Sequence, residues 1–354
     1  MSINKEIIGI LLIATTMLLS ACSSDDSGAQ TVTTGNEPVD KVVHLVSYIS
    51  PLVEKEQPHR AAPSGFSAYS LDKTTAMGIY TLLSDDWADP KEEKIIYNNN
   101  KWHAYFNVEA NKTYTVYGYL PKTENMRSEL AKSATNVATL TIENIKPVTT
   151  DDICIITGVK ETDEGLKEGQ FSWTWPIGND DYFMYLLLDH LYAAVQFCMK
   201  IDGEYAQLRT IKLKTMTLST NKGSVNAAVT LTHNTEGTSP IADEDDITYI
   251  STDGSCEAQI FNNAEGLALS STTPIEVNAS FAPTLSNNLT MVTTYDLYDR
   301  KGNLIRENSK ATNKLPNLAA VRGQKVQVNL TVNPTYLYVL SEPDLDNPTI
   351  TIGD

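Results

Sequence analysis

Asp189 and His190 adjoin each other, and an imidazole beside a carboxylate is the pairing that activates a serine hydroxyl in many hydrolases. That chemistry also needs a positioned nucleophile, and the sequence has no Gly-x-Ser-x-Gly turn to supply one. A single histidine in a strand pattern reads instead as a polar residue at the rim of a sheet. Two acidic stretches, Ile241 to Tyr249 and Glu342 to Pro348, gather oxygen ligands without the spacing of a calcium loop. Trp87, Trp102, Trp173 and Trp175 are candidates for a sugar-stacking platform. In "FSWTW", however, alternation places Trp173 and Trp175 on one face, the pattern of a core. Cys154 and Cys198 lie in apolar runs and read as buried small hydrophobes unnecessary for chemistry; a bridge between them is left open, as is the state of Cys256. No cysteine or histidine spacing resembles a metal site. The expectation is a protein that is not an enzyme and needs no metal and no cofactor.

The fourth cysteine carries a different chemistry. Residues 1–21 begin with Lys5, continue through the apolar run Ile7 to Leu19 and end in small residues before Cys22, the layout of a secretory signal. The "LSAC" segment, Leu19 to Cys22, resembles a bacterial lipoprotein box, which implies lipid on Cys22 and an anchor in the outer membrane. Residues 22–40 are a polar linker that cannot bury a core. Its pair Asp25 and Asp26 resembles a surface-export signal, so the cell surface is the expected location. The net charge of −17 repels nucleic acid and anionic lipid, so no nucleic-acid partner is expected.

The elements that hold these residues follow from alternation of period two. Val326, Val328, Leu330 and Val332 alternate with polar residues, as do Ile275, Val277, Ala279 and Phe281, and these predict half-buried strands. "YNNNKW" (Tyr97 to Trp102), "DRKGN" (Asp299 to Asn303) and Asp202-Gly203 read as hairpin turns. Helical pattern is confined to two short stretches, Asn125 to Ala134 and Pro316 to Gly323. The fold class is all-β, of sandwich type. The charged segment Lys160 to Gln170 is the best boundary between an N-terminal sandwich, residues 41–168, and a C-terminal one, residues 169–354.

Taken in order, the lipobox, "VVHLVSYI" (Val42 to Ile49), "YTVYGYLP" (Tyr114 to Pro121), "DDICIITGV" (Asp151 to Val159), "MYLLLDHLYAAVQFCMKI" (Met184 to Ile201) and the tail "TYLYVLSEPDLDNPTITI" resemble the fimbrillin superfamily, the subunits of type V pili. The resemblance implies two tandem β-sandwich domains of transthyretin-like, Greek-key topology. It also implies surface transport as a lipoprotein and head-to-tail assembly with other pilus subunits after cleavage by a surface protease. In that scheme cleavage after an arginine removes the first strand, and the tail of a neighbour fills the groove by strand addition.

Carried onto this chain, the cut falls between Arg60 and Ala61, in a polar, proline-bearing loop directly after the first strand. Arg127 and Arg209 are poorer candidates, because neither would release a single strand. The displaced strand holds Val42, Val43, Leu45, Val46 and Ile49. The donor strand spans residues 335–352, with Tyr336, Leu337, Tyr338, Val339 and Leu340, then Ile350 and Ile352, as alternating plugs. Five such side chains on one face, Tyr336, Tyr338 and Leu340 with Ile350 and Ile352, contribute on the order of 7–15 kcal/mol before ordering costs. Pro343 and Pro348 keep the hinge between the two runs out of a central ladder. The tail also reads as a pair of ordinary edge strands of its own sheet. The functional expectation is a pilus subunit, of shaft type; a monomeric surface lipoprotein that binds glycan, or a pilus anchor or tip, are the alternatives.

Overall fold

The computed structural model describes residues 40–54, 65–83, 86–105, 108–175, 182–333 and 349–352. Cys22, Arg60, Ala61 and the run Tyr336 to Leu340 lie outside them. The strands are β1 (Asp40–Ile49), β2 (Val53–Glu54), β3 (Ser67–Tyr69), β4 (Ala76–Leu83), β5 (Glu93–Asn98), β6 (Lys101–Tyr105), β7 (Thr113–Lys122), β8 (Arg127–Ala134), β9 (Val137–Ile145), β10 (Val148–Thr149), β11 (Cys154–Lys160), β12 (Ser172–Thr174), β13 (Tyr182–His190), β14 (Ala193–Ile201), β15 (Arg209–Thr232), β16 (Ile247–Ala268), β17 (Ile275–Phe281), β18 (Leu289–Asp299), β19 (Leu304–Lys314), β20 (Gln324–Val332) and β21 (Thr349–Ile352). Among the described residues, helix is confined to one turn, α1 (Gly203–Ala206), and two 3-10 turns. The protein is all-β.

Three sheets organise these strands. The first runs β11-β13-β1-β6-β5-β4-β7-β12, with β3 beside β1. It closes on itself where Cys154 and Ile155 of β11 pair with Leu120 and Tyr119 of β7. The second runs β10-β17-β14-β20, and the outer edge of β20 is shared by β2 and β21. The third is built on the long β15, which pairs with β16 along one edge and with β18 and then β9 along the other. The alternating residues named above do face inward: Val326, Val328, Leu330 and Val332 of β20, and Val277, Ala279 and Phe281 of β17, belong to one apolar core with Ile79, Ile155, Trp173 and Leu186.

Ladders cross residues 168 and 169 in every sheet. β1 pairs in parallel with β13, β9 pairs with β15, and β10 pairs with β17. Alternation tells which face of a strand is buried but not which strand lies beside it, so this connectivity has no local signature. The charged segment 160–170 folds back onto β11, with the Val159 amide donating to the Gln170 carbonyl and the Gly169 amide to the Thr157 carbonyl, both at 2.8 Å. Gly158 permits that contact, since a Cβ there would lie 2.4 Å from the Lys167 carbonyl oxygen.

Local expectations divide by whether tertiary contacts override them. Tyr97 to Trp102 forms the β5–β6 hairpin, with Asn99 and Asn100 both at positive φ, the conformation of a tight primed turn. Asp299 to Asn303 turns β18 into β19, and the Asp299 carboxylate accepts from the amides of Lys301 and Asn303. Asp202-Gly203 forms no hairpin: β14 pairs with β17 and β20, and the Asp202 carboxylate caps α1 by accepting from the Glu204 and Tyr205 amides. The stretch Asn125 to Ala134, helical by composition, contains the strand β8 paired with β9, and Pro316 to Gly323 is irregular. In both, edge pairing and packing outweigh residue propensity.

Candidate functional site

β1 is followed by Ser50, and here the sheet geometry concentrates charge. The parallel register of β1 with β13 sets Ile49 against Leu188, so Ser50 falls next to Asp189 and His190 at the end of β13. The Ser50 hydroxyl donates to Asp189 Oδ1 at 2.6 Å, and the His190 amide donates to the same oxygen at 2.9 Å. Arg322, just before β20, donates from Nη1 to Asp189 Oδ2 at 2.7 Å. All four residues are buried, with Asp189 at 0 % and Arg322 at 7 % exposure. The burial is tolerable because the carboxylate is paired and its oxygens are bonded. Arg322 Nε has no hydrogen-bond partner and lies 3.7 Å from the exposed Glu244.

The His190 ring joins this knot to β11. Nδ1 lies 2.8 Å from Asp152 Oδ1 and Nε2 lies 2.9 Å from the Ser50 carbonyl oxygen. Both neighbours are acceptors, so a ring protonated at both nitrogens satisfies both. Burial alone would lower the histidine pKa, but the bond to Asp152, the charges of Asp152 and Asp189 and the Ser50 carbonyl outweigh it and hold it raised. The Cys154 thiol, wholly buried, is pushed well above its ordinary range by burial first and then by Asp152.

Such an arrangement fastens strands. It does not set up a serine–histidine dyad, because the Ser50 hydroxyl is given to Asp189 and neither ring nitrogen of His190 is given to that hydroxyl. The rim position expected for His190 is corrected: it is 4 % exposed, because its ring is enclosed between Asp152 and the Ser50 carbonyl, with Cys154 of β11 paired beside it. The adjacency of Asp189 and His190 was visible in the chain. Ser50, Asp152 and Arg322 were missed; the only signal for them was a charge or hydroxyl set against apolar runs.

The displaced-strand residues occupy the middle of the first sheet. β1 is bonded to β13 along one edge and to β6 and β3 along the other. Val43 and Ile49 are buried, while Val42, Leu45 and Val46 are half-buried. In the tail, the backbone of Ile350 pairs with Leu330 and that of Ile352 with Val328, so this segment lies on β20 of its own chain. Trp173 and Trp175 are in the core, Trp173 donating from Nε1 to the Phe183 carbonyl, and Trp87 is half-buried beside Tyr117. Cys154, Cys198 and Cys256 are free thiols.

No family model matches the sequence, and no curated protein matches it. Among solved structures, the chain is similar to a candidate cell adhesion protein from Bacteroides fragilis NCTC 9343, with 11% identity and a TM-score of 0.41 over 89% of this chain and 97% of that one. A candidate cell adhesion protein from Bacteroides uniformis ATCC 8492 is 14% identical, with a TM-score of 0.36 over 88% and 98%. A fimbrial protein from Bacteroides vulgatus ATCC 8482 is 12% identical, with a TM-score of 0.32 over 86% and 98%. The likeness to these Bacteroides adhesion and fimbrial proteins is thus one of extent, running over most of each chain, at low sequence identity.

Proposed function

We infer that the chain is a structural subunit of a cell-surface pilus, of shaft type, exported as a lipoprotein through Cys22 and polymerised by protease-triggered donor-strand exchange. The observation that carries this reading is the place of β1. It is the first described strand, bonded along both edges, and Arg60 follows it in the sequence before β3. Cleavage after Arg60 therefore separates β1, together with the two-residue β2, from the rest of the chain, and the site that β1 vacates is a groove with an unpaired strand edge on each side. Such a groove accepts an extended apolar segment. β2 also precedes Arg60, so the released piece holds two strands rather than the one expected, and β2 leaves the outer edge of β20 as β1 leaves the first sheet.

A second reading is carried by β21. A tail that pairs with its own β20 is an edge strand of its parent sheet, as in a monomeric surface lipoprotein. A glycan face on Trp173 is not part of that reading, since Trp173 is in the core. Truncation separates the two readings. Arg60→Ala should fold, reach the surface and stay anchored without polymerising, whereas deletion of residues 335–354 should still be cleaved and yet donate nothing. Ladders on denaturing gels after trypsin-like treatment report both, and a truncated protein that polymerises like the intact one would overturn the donor assignment.

A further inference from the structure

Asp152, Cys154 and His190 bring an oxygen, a sulfur and a nitrogen ligand atom within 4.8 Å of one another. The register produces this: Cys154 pairs directly with His190 in the β11–β13 ladder, and Asp152 lies two residues ahead of Cys154, where the side chain returns to the same face. We propose that the three form a binding site for a divalent transition metal of zinc type. The ligands are His190 Nδ1, Cys154 Sγ and the Asp152 carboxylate, with a water in the fourth position.

Three independent features support the assignment. The first is the donor set: thiolate with imidazole selects zinc-class ions over magnesium and calcium, which take oxygen ligands. The second is the far side of the imidazole. Nε2 is held on the Ser50 carbonyl at 2.9 Å, the outer contact that metal-bound histidines characteristically make, and it fixes the ring so that Nδ1 faces Asp152 and Cys154. The third is access. Cys154 and His190 are closed off, but the Asp152 side chain is 32% exposed, which gives an ion a path and a water its place.

The charges balance without help from elsewhere. Binding releases the thiol proton of Cys154 and the proton shared between His190 Nδ1 and Asp152, and the ion takes their place. A dication with one thiolate and one carboxylate is neutral, and Asp189 is already matched by Arg322. Tetrahedral bonds of about 2.0–2.1 Å set nitrogen and oxygen ligands about 3.3 Å apart. The His190–Asp152 contact of 2.8 Å must therefore open by a few tenths of an ångström, which the half-exposed Asp152 can supply.

Cobalt titration of the full chain, purified in detergent and stripped with chelator, tests this site. The expected result is one cobalt per chain, with a thiolate-to-cobalt charge-transfer band and the intense visible bands of tetrahedral cobalt, both erased by zinc and unaffected by calcium or magnesium. Cys154→Ser should abolish the charge-transfer band, while Cys198→Ser and Cys256→Ser keep it. Asp152→Asn alters the exposed ligand, so it serves if the buried variant fails to fold; it should weaken cobalt binding by at least about tenfold. Zinc should raise the melting temperature of the wild type and not that of Cys154→Ser. Absence of a thiolate band, or a band that survives Cys154→Ser or unweakened binding in Asp152→Asn, would show that the trio is a hydrogen-bonded cluster only.

Discussion

Removing either half of the Asp189–Arg322 pair strands the other where water cannot reach it. The pair is buried at both ends, and Asp189 also receives Ser50 and the His190 amide, so the ion pair is the centre of a network. Arg322→Met should therefore lower the unfolding free energy by about 3–5 kcal/mol, because it leaves an uncompensated carboxylate in the interior. The double variant Arg322→Met, Asp189→Leu should recover part of that loss. Urea unfolding with an unchanged slope is the measurement, and a single variant within about 0.5 kcal/mol of wild type would show that water enters the knot. At this scale the sequence was half legible. Asp189 and His190 announce themselves by adjacency, but their partners Ser50 and Arg322 are 139 and 133 residues from Asp189, brought in by parallel pairings that no local pattern encodes.

Turn chemistry was the most readable feature of the elements, because it is written in contiguous residues. Asn99 and Asn100 take φ values of 48° and 63°, in the left-handed region where asparagine and glycine are tolerated and β-branched residues are not. Asn100→Gly should leave the β5–β6 hairpin intact and stability unchanged or slightly higher, while Asn100→Val should cost about 1–2 kcal/mol. Equal thermal stability of the two variants would mean that the hairpin does not depend on its turn. Asp202-Gly203 shows why the same signal failed elsewhere. The dipeptide is suited to a turn, but Asp202 is equally suited to capping α1, and the packing of β14 between β17 and β20 decides between the two uses. Asn125 to Ala134, read as helical, departs for a related reason: its helix-favouring residues in the exposed edge strand β8 follow their neighbour β9 rather than their own propensity.

For the whole molecule, the first and last described strands lie on β13 and β20. β1 lies against β13, while β2 and β21 share the outer edge of β20, so the strands ahead of Arg60 and the described part of the tail are held by ladders of their own chain. Cutting after Arg60 breaks one peptide bond and leaves the ladders of β1 with β13, β6 and β3 in place. Nicked monomer should accordingly keep its N-terminal piece, since release alone would expose the apolar side chains of Val43 and Ile49 and two strand edges. Release should follow only when a donor tail arrives. Mixing two variants reads out this order: Arg60→Ala has a tail and an occupied groove, and the chain lacking residues 335–354 keeps Arg60 and has no tail. After protease treatment the mixture should yield dimers and no longer chains, because each partner supplies one half of a head-to-tail contact that cannot propagate. The freed N-terminal piece should appear by size-exclusion chromatography only in the mixture. Its appearance in the nicked, truncated protein alone would mean that cleavage itself ejects β1, and strand exchange would then start from an open groove rather than by displacement.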